Sequence, residues 1–144
     1  MGLRPGTLPV PLVVGLGSAA ELAAEEYGER KANALRVKEA FLAGLGDVEY
    51  RLNGDPVRAQ SHVVNIRFPG VDSEALMLSL REAVAISNGA ACTSASYTPS
   101  HVLLAMGLTE DQVATSVRIS WGAGVSSIPA EAFVEAVTSL SVGP

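Results

Sequence analysis

The chain is poor in the residues that build crosslinks, metal centres and basic surfaces. It has one cysteine, Cys92, so an internal disulfide framework is excluded, and a reducing, cytoplasmic setting is the expectation. Its two histidines, His62 and His101, are well separated, and with a single thiol they make no metal-ligand cluster of recognisable spacing. Lys31 and Lys38 are the only lysines. Fifteen acidic residues outnumber ten basic ones, giving a formal charge of −5 that argues against nucleic acid or an anionic membrane as a direct partner. No apolar run approaches the roughly 20 residues of a membrane span. Leu8 to Leu16, followed by Gly17-Ser18-Ala19-Ala20, has the outline of a secretory signal, but Pro9 and Pro11 interrupt it and Arg4 is a thin charged start. Gly15, Gly17 and Gly122-Ala123-Gly124 do not follow a strand and open a helix, so they do not read as phosphate loops.

What is present suits one folded domain: 144 residues, of which 48% are hydrophobic. Met1 to Pro11 reads as an extended arm, because Pro5, Pro9 and Pro11 disfavour helix in the residues before them. Val13 to Tyr27 is rich in alanine and glutamate and predicts a helix, with Gly28 as a break. A second helix follows, with Ala34, Val37, Phe41 and Leu45 on one face, ended by Gly44 to Asp47. Val48 to Leu52 predicts a short strand before the turn Asn53-Gly54-Asp55-Pro56. Val64, Ile66 and Phe68 alternate with Val63, Asn65 and Arg67, the pattern of a half-buried strand ended by Pro69-Gly70.

Asp72 is placed to cap a helix running through Arg81. Ala83 to Ile86 predicts a short apolar strand. Thr98 and Pro99 read as the N-cap and first residue of another helix. Thr109 and Gln112 have capping-box spacing. Val117 to Trp121 predicts a strand with Val117 and Ile119 on one face and Arg118 and Ser120 on the other. Pro129 opens a last helix with Phe133, Val137 and Leu140 inward. Strands and helices mix without a βαβ rhythm, so the class is α+β.

Cys92 is the principal candidate for chemistry. It sits in Ser87-Asn88-Gly89-Ala90-Ala91-Cys92-Thr93-Ser94-Ala95-Ser96, where every neighbour is small or polar. Buried inert cysteines are common, but none of these neighbours anchors a core. The composition predicts an accessible thiol on a loop able to move, with Gly89 as its hinge. An unassisted thiol is mostly protonated at neutral pH, and a helix opening at Thr98 would favour its anion. Gly89 to Thr98, tied at both ends, would let the tip travel on the order of 10–15 Å by chain geometry. Arg118 is the second candidate, a guanidinium suited to gripping a carboxylate in bidentate fashion, with solvation on an open strand face as the alternative. His62 and His101 read as solvated surface residues. In the arm, Gly6 and Thr7 could offer an N–H and a hydroxyl to a phosphate.

Together these segments resemble the cysteine desulfurases, pyridoxal-phosphate enzymes of the class V aminotransferase group. Arg4-Pro5-Gly6-Thr7-Leu8-Pro9-Val10-Pro11 is similar to the family's R-x-G-T-x-x-x-P arm. Ser87 to Ser96 is similar to its active-site loop, of the type with a long mobile loop, and Val117-Arg118-Ile119-Ser120 to its R-x-S strand. The resemblance implies the C-terminal small domain of a fold-type I pyridoxal-phosphate transferase: a short sheet packed against helices, preceded by a long linking helix. Residues 1–11 would be an arm reaching a neighbouring subunit's cofactor site, and residues 12–144 the small domain carrying the cysteine loop at 87–98.

By the same resemblance Cys92 is the nucleophile that takes sulfur from L-cysteine as a persulfide and passes it to an acceptor protein, giving L-alanine. Arg118 holds the substrate carboxylate. Thr7 donates to the cofactor phosphate of the neighbouring subunit in a homodimer. Ala90 stands where many members have serine. Iron–sulfur cluster assembly and the sulfur modification of DNA or transfer RNA all draw on this family. The family holds pyridoxal phosphate through a lysine in a Ser-x-His-Lys context, which neither Lys31 nor Lys38 has. The resemblance therefore implies a C-terminal part, inactive alone without the lysine-bearing domain. A non-enzymatic persulfide carrier or docking module, and a small domain with an incidental cysteine, remain as alternatives.

Overall fold

The computed structural model describes residues 6–88 and 99–141. It is built on one long helix, α1 (Val10–Gly44), which is 35 residues, or about 50 Å at 1.5 Å per residue. This corrects two expectations. Helix begins at Val10, inside the segment read as an extended arm, because a proline in the first helical turn removes only an N–H that has no partner there anyway. Gly28 does not break the helix. A glycine costs about 1 kcal/mol relative to alanine but keeps its N–H, and strong helix formers flank it. The helix ends where expected, at Leu45, with Gly46 at φ +56° turning the chain.

Three short strands follow the helix into one antiparallel sheet of order β1-β2-β3: β1 (Arg51–Leu52), β2 (Val63–Arg67) and β3 (Ser116–Ser120). β1 is shorter than the predicted Val48 to Leu52. β2 and β3 pair Val64 with Ile119 and Ile66 with Val117 on the covered face. Asn65 with Arg118 and Arg67 with Ser116 fall on the other face. Period-two alternation thus divides the sheet as read from the sequence.

The covered face meets the second half of α1, α2 (Ser73–Leu80) and α5 (Ala130–Ser141). Phe133 of α5 is fully buried, with its ring edge-on to Phe41 at 5.0 Å and tilted against Phe68 at 6.4 Å. Asp72 caps α2 as expected, its carboxylate accepting from the Glu74 and Ala75 amides. Two short helices, α3 (His101–Ala105) and α4 (Glu110–Ala114), precede β3. The Thr109–Gln112 capping box forms in full.

Two further expectations are corrected. Ala83 lies in a turn, and Ala83 to Ile86 forms no strand. Only Ser87, the next residue, pairs with the sheet, through one bridge to Arg118. The cap of α3 is Ser100, whose hydroxyl accepts from the Leu103 amide, and Pro99 lies before the helix. Serine offers the same capping chemistry as threonine, so the helix starts two positions later than the Thr98-Pro99 pair suggested.

Candidate functional site

β3 is flanked on both edges. β2 lies on one side, and on the other Ser87 donates its amide to the Arg118 carbonyl at 3.1 Å and accepts from the Arg118 amide at 2.6 Å. The root of the cysteine-bearing segment is thereby fastened to the backbone of the candidate substrate arginine. The Arg118 side chain is exposed, on the face opposite the core, while Val117 and Ile119 beside it are buried. Cys92 itself lies outside the described residues, as do Gly89, Ala90 and Thr98. Thr7 is exposed, three positions before α1 begins at Val10, and Arg4 lies outside the described residues.

Beside Arg118 the structure holds a polar cluster that the sequence reading did not single out. Asn53 donates from Nδ2 to Asn65 Oδ1 at 2.6 Å and to Ser116 Oγ at 2.9 Å. The Ser116 hydroxyl in turn donates to the Gln112 carbonyl at 2.6 Å. Asn65 stands directly across from Arg118, and Ser116 is two residues before it on the same strand face. These bonds tie the turn after β1 to β2 and β3 on the Arg118 side. The available signal was the alternation itself: Asn65, between Val64 and Ile66, had to face the same way as Arg118.

His62 and His101 are both exposed, which agrees with their reading as surface residues. The described residues contain no group of His, Cys, Asp and Glu that could hold a metal ion. Among them, no helix is long and apolar enough to cross a membrane.

The hydroxyl of Thr7 and the guanidinium of Arg118 have the chemistry to hold a phosphate and a carboxylate. An amine to anchor pyridoxal phosphate is another matter. Lys38 is buried in α1 and lines a cavity of about 220 Å³ with Asn53 and Asn65, while Lys31 lies over the Tyr27 ring at 5.9 Å. Neither Thr7 nor Arg118 lines that cavity. The described residues therefore fit the periphery of such a cofactor and do not make its whole site.

Comparison with known proteins shows what the chain is similar to. The aminotransferase class-V family profile matches residues 1–127. A mitochondrial cysteine desulfurase of Eremothecium gossypii is 41% identical over 138 residues, covering 95% of this chain and 28% of the relative. The crystal structure of DndA from Streptomyces lividans superposes with a TM-score of 0.60 at 38% identity, over 83% of this chain and 34% of that one. A NifS-like protein from Rickettsia africae shares the fold, with a TM-score of 0.71 at 24% identity over 95% of this chain and 36% of its own. The chain thus spans about a third or less of the length of curated relatives such as the Eremothecium protein, at 28%.

Proposed function

The chain belongs to the aminotransferase class-V family, and from that premise we propose that it serves as the C-terminal part of a cysteine desulfurase. Cys92 takes the sulfur of L-cysteine as a persulfide, leaving L-alanine, and hands it to an acceptor protein. Arg118 grips the substrate carboxylate in bidentate fashion. Thr7 donates to the cofactor phosphate in a homodimer, from an arm that belongs to the neighbouring subunit's site. Residues 12–144, with the cysteine segment at 87–98, form the small domain of the whole enzyme. Pyridoxal phosphate is the cofactor of that enzyme, held by a lysine outside this chain, and its setting is the cytoplasm.

The observation that carries this reading is the two-bond bridge between Ser87 and Arg118. It fixes where the cysteine segment departs relative to the arginine that would hold the substrate. Binding a substrate by one end while a tethered group meets the other is how proximity lowers a barrier. The test is Cys92→Ser in the whole polypeptide. That variant is expected to bind pyridoxal phosphate normally and to release no sulfide from L-cysteine; normal sulfide release would refute the proposal.

The positions of Lys31 and Lys38 favour a second reading for the chain acting alone, a persulfide carrier without turnover. It is distinguished by a one-sulfur mass gain on Cys92 from a persulfide donor, reversed by a thiol reductant, with no alanine formed.

A further inference from the structure

A feature unused by this account is a cavity of about 670 Å³ between the middle of α1 and the segment 56–62. Its volume lies within the roughly 300–1,000 Å³ typical of small-molecule sites. Arg30 and Lys31 of α1 and Arg58 of the facing segment line it, and no aspartate or glutamate does. In a chain of net charge −5 this is a local reversal of sign. The two acids that touch these cations, Glu26 on Arg30 and Asp55 on Arg58 at 3.6 Å, stand outside the cavity wall. Exposed ion pairs of this kind are worth about 0–1 kcal/mol, so the guanidinium groups can turn to an incoming anion at small cost.

The rest of the lining mixes polar Gln60, Ser61 and His62 with apolar and aromatic side chains. Tyr27 and Trp121 both contribute, and Trp121 is only 7% exposed. Its indole Nε1 is buried and has no hydrogen-bond acceptor among the described residues. A buried donor without an acceptor costs about 1–3 kcal/mol, so such groups call for a partner.

We propose that this cavity binds a small organic phosphate bearing a planar ring. Three cations with no lining acid suit a phosphate dianion better than a single carboxylate, and arginine matches phosphate oxygens in bidentate geometry. The cavity exceeds what an inorganic phosphate fills, and its aromatic walls suit a flat body. Neither Thr7 nor Arg118 lines it, so this ligand is separate from the substrate and cofactor groups proposed above.

Trp121 is the only tryptophan, so its fluorescence and single indole N–H resonance report on the cavity directly. The experiment follows both signals in the chain as AMP, inorganic phosphate or adenosine is added. Saturable change with AMP is expected, about tenfold weaker with inorganic phosphate, and absent with adenosine. The double variant Lys31→Gln/Arg58→Gln should weaken AMP by about tenfold or more with an unchanged circular dichroism spectrum. If the double variant loses helical signal, Arg58→Gln alone carries the test, since that side chain is 88% exposed. No saturable response to AMP, or undiminished binding by the variant, would overturn the proposal. So would a tighter response to a glutamate-rich peptide, which would make the cavity a protein-docking site.

Discussion

Arg118 is the residue on which sequence and structure meet. Its backbone N–H and carbonyl both bond to Ser87, so its Cα is fixed while its side chain stays exposed. Replacing it with alanine leaves those backbone bonds intact and removes the exposed side chain beyond Cβ, guanidinium included. In the whole enzyme Arg118→Ala is therefore expected to raise KM for L-cysteine by about 10- to 100-fold, corresponding to the roughly 1.5–3 kcal/mol of a hydrogen bond to a charged group. Steady-state kinetics check this, and an unchanged KM would remove Arg118 from substrate binding. The exposure of Arg118 was legible in the sequence, because its neighbours alternate apolar and polar. The Asn53–Asn65–Ser116 cluster beside it was not, because its members come from the turn after β1, from β2 and from β3 and meet only through tertiary pairing. The reading of Cys92 rests on its sequence neighbours alone, and it lies outside the described residues.

At the scale of elements, the β2 and β3 strands and two of the three predicted caps were readable, while the Thr98 cap fell two positions early. The β2 alternation, the Asp72 cap and the Thr109–Gln112 box are local chemistry, and each forms as its residues dictate. The misread elements were those decided by context. Gly28 carries a weak helix penalty that the flanking helix outweighs, and Ala83 to Ile86 has strand composition but finds only one pairing position.

Gly44 belongs with the contextual features. It ends α1 where α5 begins, and a Cβ built on it would stand 2.7 Å from the Ala130 Cβ. Nothing in the local pattern marks this close approach. Gly44→Ala, which would help an isolated helix, is expected to destabilise the domain by about 1–3 kcal/mol through overpacking. A lowered denaturant midpoint checks this; a raised one would show that the two helices separate without cost.

At the scale of the whole molecule, the core occupies only part of the chain. It joins the sheet, α2, α5 and the second half of α1 around Phe41, Phe68 and Phe133. The first half of α1 carries exposed Leu12, Val13, Val14 and Leu16. Both lysines lie on the helix, away from the Ser87–Arg118 bridge in sequence. With pyridoxal phosphate added, this chain by itself is expected to form no stoichiometric adduct trappable by borohydride. Absorbance and intact mass check that, and a trapped adduct on Lys31 or Lys38 would show that the chain carries a cofactor lysine after all.

The central claim is that Cys92 receives the sulfur. The most direct measurement is mass spectrometry of the peptide containing Cys92 after brief exposure of the whole, cofactor-loaded enzyme to L-cysteine, quenched with an alkylating agent. The account predicts one additional sulfur atom on Cys92, lost on treatment with a thiol reductant and formed together with alanine. Alanine produced while Cys92 gains no sulfur would contradict it.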